Sequence, residues 1–346
     1  MTRGSRTPLA TLAVLAAVVA VAVVAVVALL SGGDSGSTGP AAAARGTGAG
    51  DPSAAFEQAV ATAVPSVVQI GSPGQLGSGI VFDDNGDIVT NAHVVSGART
   101  FTVTTSDGKR HRAALRGTFA ANDLAVVRVD GADLTPARFA DSSKLKVGES
   151  VLAIGNPLGL RSSVTDGIIS AVSRTLSEGN GVALPSVVQT SAAINPGNSG
   201  GALIDLSGAV VGIPTLAATD PELGGSAAPG VGFAISSNTV THIAGQLAKQ
   251  GRVVDSGRAY LGVELRSLPQ GGVLVASVVR GGPGASAGLR AGDLVVSIAG
   301  HQTTTVDDVA LALASQKPGD RVRVELERPD GTRPTVTVKL GELPGD

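Results

Sequence analysis

The sequence predicts a mainly β protein, β-barrels or a sandwich, followed by a smaller mixed α/β unit, behind a single N-terminal apolar helix. Three observations carry this. Short apolar runs separated by Gly, Asp and Asn turn signals recur from Val67 to Ile213, with little helical periodicity between them. Helical spacing first shows after Ser237, where Val240, Ile243 and Leu247 share a face, and again after Thr305. Residues 9–30 form one unbroken apolar stretch. Hydrophobic residues make up 43% of the chain but aromatics only 2%, so the cores must be built from Val, Ile, Leu and Ala.

Residues 9–30 carry Thr11 as their one polar side chain and reach roughly 33 Å as a helix, enough for a bilayer core. Arg3 and Arg6 precede the stretch and Asp34 is the first charge after it. The positive-inside rule then predicts a cytoplasmic segment at 1–8, a transmembrane helix at 9–30 and an extracytoplasmic remainder. A cleaved signal peptide would have a shorter apolar region and a small-x-small site, and Ser31-Gly32-Gly33 offers no clean one. Residues 31–55 contain only Gly, Ala, Ser, Thr, Pro, Asp and one Arg. They predict a flexible linker, because such a segment has little apolar area to bury.

The strands follow in order. Residues 79–82 and 88–90 flank an Asp-Asn-Gly turn and predict a hairpin; residues 101–104 and 109–115 predict another. Leu124–Val129 is apolar at nearly every position and predicts a largely buried strand. Further strands are expected at 150–154, 164–172, 201–204 and 209–213, with connecting loops at 173–184 and 216–230. Ser237 is the expected cap of the late helix, and Lys249 and Gly251 its C-terminal signal. This places a β domain at 56–252 and a second domain at 257–342. In the second domain, strands are expected at 260–265, 272–278, 294–298, 321–328 and 335–340. Its helix opens on Thr305-Val306-Asp307-Asp308, a capping box with Asp for Glu.

Composition excludes several function classes. Lys plus Arg number 26 against 28 Asp plus Glu, so there is no concentrated positive charge for nucleic acid. With no cysteine, there is no disulfide framework, thiol nucleophile or Cys zinc site; no metal or cofactor site is expected.

Three segments carry chemistry: Thr90-Asn91-Ala92-His93-Val94-Val95, Asn122-Asp123-Leu124-Ala125-Val126 and Asn195-Pro196-Gly197-Asn198-Ser199-Gly200-Gly201. A serine hydroxyl is a poor nucleophile without a base to take its proton and an acid to fix that base's tautomer. His93, Asp123 and Ser199 supply those groups in the His, Asp, Ser order of chymotrypsin-fold proteases. The glycines allow the N–H groups of Gly197 and Ser199 to aim at a developing oxyanion. A rival assignment takes Ser199, Asp220 and His242 in α/β-hydrolase order, but that nucleophile elbow needs a helix after the serine. Residues 202–205, 206–208 and 209–213 instead predict strand, turn and strand. His111, among Lys109, Arg110 and Arg112, and His301, in a turn, are expected to be structural.

Residues 90–95, 122–127, 155–159, 189–203 and 230–238 together resemble the membrane-anchored branch of the HtrA/Deg serine proteases. The resemblance extends from Phe56 to Leu340. It implies a chymotrypsin-like double β-barrel with a His93, Asp123 and Ser199 triad, an ATP-independent endopeptidase, and a C-terminal PDZ domain. It places Ala193 and Ile194 at the base of the primary specificity pocket, where the lack of charge favours small or medium apolar side chains over Lys or Arg. Ser191, Pro214 and Ser236 stand where that family usually has Asp, Asn and Pro. Asn198 precedes the nucleophile where digestive relatives have an Asp that pairs with a new N-terminus, so activation by N-terminal cleavage is not expected. Control is expected instead from the segments 173–184 and 216–230, the equal alternative being that they are merely mobile connections.

Tyr260-Leu261-Gly262-Val263 resembles the carboxylate-binding loop of PDZ domains. Val309 and Leu313 form the opposite wall, so C-terminal peptides are the expected ligand. The resemblance further implies unfolded or partly folded protein substrates and a homotrimer acting in protein quality control and the stress response. The competing reading is a PDZ-containing chaperone with latent or secondary proteolysis.

Overall fold

The computed structural model describes residues 52–72, 75–156, 163–179, 181–195, 197–220 and 226–345. The expected transmembrane stretch and nearly all of the linker lie outside these residues. Among the described residues, no helix is long and apolar enough to cross a membrane.

Strands β1 (Val67–Ser72), β2 (Gln75–Val81), β3 (Asp87–Thr90), β4 (Thr100–Thr104), β5 (Arg110–Phe119) and β6 (Leu124–Val129) close into a barrel in the order β1-β2-β3-β6-β5-β4. Strands β7 (Ser150–Gly155), β8 (Ser163–Gly179), β9 (Val182–Thr190), β10 (Ala202–Asp205), β11 (Val210–Asp220) and β12 (Ser226–Ser236) close into a second barrel with the equivalent order, β7-β8-β9-β12-β11-β10. Strand alternation explains how they join. Ala125, Val127 and Val129 of β6 face the interior of the first barrel with Val68, Ile70, Val81 and Ile88. Leu124 and Val126, on the other face, join Ile80 and Val89 and meet Leu152, Ile154, Ile204 and Ile213 of the second barrel. The doubly apolar run in the sequence is therefore one strand serving two cores.

Two helices seal the junction. Helix α1 (Pro52–Ala63) places Ala59 and Ala63 in the inter-barrel core, with Phe56 and Val60 packed against it. The expected linker therefore ends at the helix start, and its boundary at 55 is corrected. The apolar spacing Phe56, Ala59, Val60, Ala63 is helical, but it straddles the small-residue segment that hid it. Helix α2 (Ser237–Gln250) buries Val240, Ile243 and Leu247 and ends on Gly251 at φ 71°, as expected. Its cap position is Ser236 rather than Ser237, whose hydroxyl instead donates to the Ala140 carbonyl at 2.6 Å.

The expected loops at 173–184 and 216–230 are a second correction. β8 and β9 form one long hairpin across the first, and β11 and β12 form another. Both pairings carry register shifts, so the side chains do not keep a clean period of two and the strands are illegible as alternation.

The C-terminal unit contains β13 (Ala259–Tyr260), β14 (Val263–Ser267), β15 (Val273–Val278), α3 (Pro283–Ser286), β16 (Leu294–Ile298), β17 (His301–Gln302), α4 (Val306–Ala314), β18 (Arg321–Glu327), β19 (Thr335–Lys339) and β20 (Gly341–Glu342). The sheet β14-β15-β16-β18-β19 and Val309 of α4 enclose Val273, Val275, Val295, Val324 and Val338. Thr305 caps α4 as expected: its hydroxyl accepts from the Asp308 N–H at 3.2 Å, and the Asp308 carboxylate accepts from the Thr305 N–H at 2.8 Å. Hydrogen bonds from the Thr304 hydroxyl and the Thr304 and Thr305 N–H groups hold the Asp308 carboxyl down to about 2.

The division in sequence near 252–257 is not a division in packing. Gln246 of α2 grips the connecting segment, donating to the Asp255 carbonyl at 2.7 Å and accepting from the Val254 and Asp255 N–H groups at 2.9 Å. The Arg258 guanidinium donates to the carbonyls of Ala121 and Ala183. Leu343, beyond the last sheet strand, packs against the inter-barrel core.

Candidate active site

The site lies where the barrels meet. His93 opens a single helical turn, His93–Val95, directly after β3. Asp123 sits at the entrance of β6 in the left-handed conformation, φ 48°, which Asp tolerates better than most side chains. That conformation lets its backbone and its carboxylate serve the same neighbours. Its carbonyl accepts from the Ala92 N–H at 3.1 Å and the Asn91 amide at 3.0 Å. Its carboxylate accepts from the His93 N–H at 3.0 Å and lies 2.8 Å from His93 Nδ1. The Asp123 side chain is 8% exposed and that of His93 50%. A proton on Nδ1 shared with the buried carboxylate leaves Nε2 as the acceptor on the open side of the ring.

Thr215 was not singled out from sequence. Its hydroxyl donates to Asp123 Oδ2 at 2.6 Å, and its carbonyl accepts from the Ser199 hydroxyl at 3.4 Å. It therefore touches both the acid and the serine. Thr215 lies at a register shift between Pro214 and Leu216, and the proline inside an apolar strand run was the available signal.

Ser199 arrives from the second barrel. Gly197 has φ +107°, and the Asn198 N–H donates to the Asn195 carbonyl at 3.0 Å; a four-residue turn of this kind needs positive φ at its third position, which glycine meets without strain. Among the described residues, the N–H groups of Gly197 and Ser199 have no acceptor. Two such donors, one on the serine itself and one two residues before it, are suited to an oxygen that gains negative charge during reaction. The serine leads into strand β10, not a helix, which removes the hydrolase-elbow alternative. His242, its supposed base, instead lies on α2 with Nε2 2.7 Å from the Asp255 carbonyl.

Residues 77–213 match the family described as Trypsin-like peptidase domain, and residues 259–340 match PDZ domain. The chain is 39% identical over 295 residues to "Serine protease Do-like HtrA" of Lactococcus lactis subsp. lactis (strain IL1403), covering 78% of this chain and 71% of that protein. It is 39% identical over 282 residues to "Probable periplasmic serine endoprotease DegP-like" of Pseudomonas savastanoi pv. phaseolicola (strain 1448A / Race 6), covering 78% of this chain and 57% of that protein. Among solved structures, "HtrA-type protease AlgW with decapeptide" superposes with TM-score 0.58 at 30% identity over 84% of this chain and 99% of that one. The serine endoprotease from Yersinia pestis does so with TM-score 0.57 at 34% identity over 83% and 98%. The chain belongs to the HtrA/Deg family of serine proteases. It is a serine endopeptidase with a PDZ domain.

In this HtrA/Deg protease the two residues expected at the specificity pocket differ in setting. Ala193 is exposed, and its carbonyl accepts from Thr165 Oγ1 at 2.8 Å and from the Asn198 amide at 3.3 Å. Ile194 is 8% exposed and packs in the core of the second barrel. The two family departures with side-chain hydroxyls are both used locally: Ser191 accepts from the Ile168 N–H at 3.0 Å, and Ser236 lies 2.9 Å from the Thr239 hydroxyl.

The PDZ groove is a cavity of about 700 Å³ lined by Tyr260, Leu261, Gly262, Val263, Val309 and Leu313, the set expected from sequence. Among the described residues, the Leu261 and Gly262 N–H groups have no acceptor, as a carboxylate-receiving loop requires. Sequence reasoning missed the protease side of this cavity, which includes Gly181, Val182, Pro185 and Ser186 of the β8–β9 hairpin. Asp307 of α4 accepts from the Gly181 N–H at 2.6 Å.

Proposed function

We propose that this protein is a membrane-tethered, ATP-independent endopeptidase that degrades or processes misfolded or regulatory proteins outside the cytoplasm. The observation that carries its chemistry is the hydrogen-bonded sequence Ser199, Thr215, Asp123, His93, in which the serine's loop presents two N–H groups without an acceptor among the described residues. In the proposed reaction Ser199 attacks the peptide carbonyl and His93 Nε2 takes its proton. Asp123 orients the ring and stabilises its charged form, and the Gly197 and Ser199 N–H groups hold the oxyanion. Collapse of the tetrahedral intermediate returns the proton from His93 to the leaving amine; water then releases the acyl group by the same path.

Ala193 and the exposed edge of Ile194 form a neutral pocket floor, which favours Val, Ala or Leu in the substrate. The groove at Tyr260–Val263 takes C-terminal peptides, which add as a strand and raise or restrain activity. The tether is the apolar run 9–30 with Arg3 and Arg6 on the cytoplasmic side, and the working assembly is a homotrimer in protein quality control and the stress response.

The test uses a fluorophosphonate probe on wild type and Ser199→Ala. Labelling of the wild type alone supports the reading, and labelling of both moves the nucleophile elsewhere. Casein cleavage faster than cleavage of folded proteins supports the substrate class. Membrane fractionation of the full chain against one lacking residues 1–30 tests the tether. Mass measurement in solution tests the trimer.

A further inference from the structure

Ser78, on β2 of the first barrel, is fully buried, yet each of its polar groups is engaged across the barrel junction or next to it. Its N–H donates to the Ser199 carbonyl at 3.0 Å. Its hydroxyl donates to the Gly197 carbonyl at 2.6 Å and accepts from the Asn156 N–H at 2.8 Å. Its carbonyl accepts from the Thr90 hydroxyl at 2.6 Å, three residues before His93. The nucleophile loop is shaped for this approach: at Gly200 a Cβ would come within 2.2 Å of the Ser78 carbonyl oxygen and 2.3 Å of Thr90 Oγ1.

We propose that Ser78 is a positioning residue for the oxyanion: by holding the carbonyls of Gly197 and Ser199, it fixes the aim of the N–H groups on those same two residues. The inference rests on the protease reading above. The two pinned carbonyls bracket the peptide that carries the Ser199 N–H, so turning either one tilts a donor. Gly197 has no Cβ to oppose such a turn. Without the hydroxyl, the Gly197 carbonyl and the Asn156 N–H both lose their partner. Swinging the Gly197–Asn198 peptide toward water relieves the first but breaks the Asn198 N–H bond to the Asn195 carbonyl, so the turn that aims the Gly197 N–H loosens. The hydroxyl therefore supplies the restraint that the glycine lacks.

The test compares wild type with Ser78→Ala and Ser78→Cys, the thiol keeping the shape but donating weakly. Functional sites are counted by fluorophosphonate at saturation, and kcat and KM for a chromogenic peptide are expressed per counted site. Affinity is measured for a peptide boronic acid, whose tetrahedral adduct engages the oxyanion donors, and for an uncleavable peptide, which does not. The expected result for Ser78→Ala is a fall in kcat of about 10- to 100-fold, less than the 10²- to 10³-fold loss of a whole donor. Boronate affinity falls in parallel, while KM and uncleavable-peptide affinity stay within about threefold, and Ser78→Cys behaves like Ser78→Ala. Fewer counted sites with normal kcat per site would show a packing role and overturn the proposal, as would Ser78→Cys matching wild type. A wild-type protein that neither labels nor cleaves overturns the protease reading itself.

Discussion

The two barrels share one strand order and put it to different uses. The first has short strands around a tightly closed interior, and its barrel-joining face presents His93 and Asp123 at the ends of β3 and β6. The second extends two pairs of its strands into long, bulged hairpins, one of which reaches the PDZ domain at Gly181. It also carries the serine. His93 and Asp123 thus stand at the ends of short strands, while Ser199 stands on the barrel whose bulged hairpins reach the PDZ domain.

The largest effect tests the first barrel. Asp123→Asn should lower kcat by about 10⁴ with little change in KM, because an amide stabilises the wrong tautomer of His93; steady-state kinetics on a peptide substrate measures this. A loss of only a few fold would mean that the first barrel does not supply the acid. Next in size is the buried pair beneath the same barrel. Arg128 Nε donates to Asp87 at 2.8 Å, and its other terminal nitrogen is also bonded to that carboxylate. Burial raises the Asp87 carboxyl above its ordinary value, with the Arg128 hydrogen bond pulling it down. Asp87→Ala should cost about 3 kcal/mol in urea unfolding, at the low end for a buried pair because Arg128 is 30% exposed.

The second barrel is probed by Asp307→Ala, which removes the acceptor of the Gly181 N–H. The β8–β9 hairpin should exchange its amide protons about tenfold faster, equivalent to about 1.4 kcal/mol, while amides of β3 and β6 keep their protection. Equal acceleration in both barrels would break the contrast drawn above. The smallest effects belong to the α4 cap. Thr305→Ala should destabilise the PDZ domain by about 1 kcal/mol. Tyr260 is the one tyrosine in a chain without tryptophan, so intrinsic fluorescence reports that domain directly. Asp308 has its folded-state value lowered to about 2 from 3.8, so its contribution is complete above pH 4 and lost as pH falls through 2. Asp308→Asn should therefore flatten the acid side of the Tyr260 stability profile between those limits.

The sequence was most legible where one residue type meets one local requirement. The turn residues marked the first-barrel hairpins, Thr305 and Asp308 marked the helix cap, and the two-faced apolar run Leu124–Val129 marked the strand shared by two cores. His93 and Asp123 stood out because each adjoins a clear strand. The second barrel was harder to read because its hairpins are bulged and rich in small side chains, which erases the period of two. Thr215 and Ser78 act through partners 92 and 119 residues away, Asp123 and Gly197, and no local pattern encodes such contacts. Helix α1 was hidden because its first turn has the composition of a linker and its apolar face gains meaning only against the inter-barrel core.

Leu343 connects these domains in time as well as in space. The core that joins the barrels is packed by Phe56, near the beginning of the described residues, and by Leu343, after the PDZ sheet. During synthesis, the protease half is therefore released from the ribosome before one of the side chains that packs against its central core exists. Final consolidation of the barrel junction must wait for the PDZ segment to be made, so a nascent or truncated chain would hold its proteolytic centre in a less settled state than the finished protein.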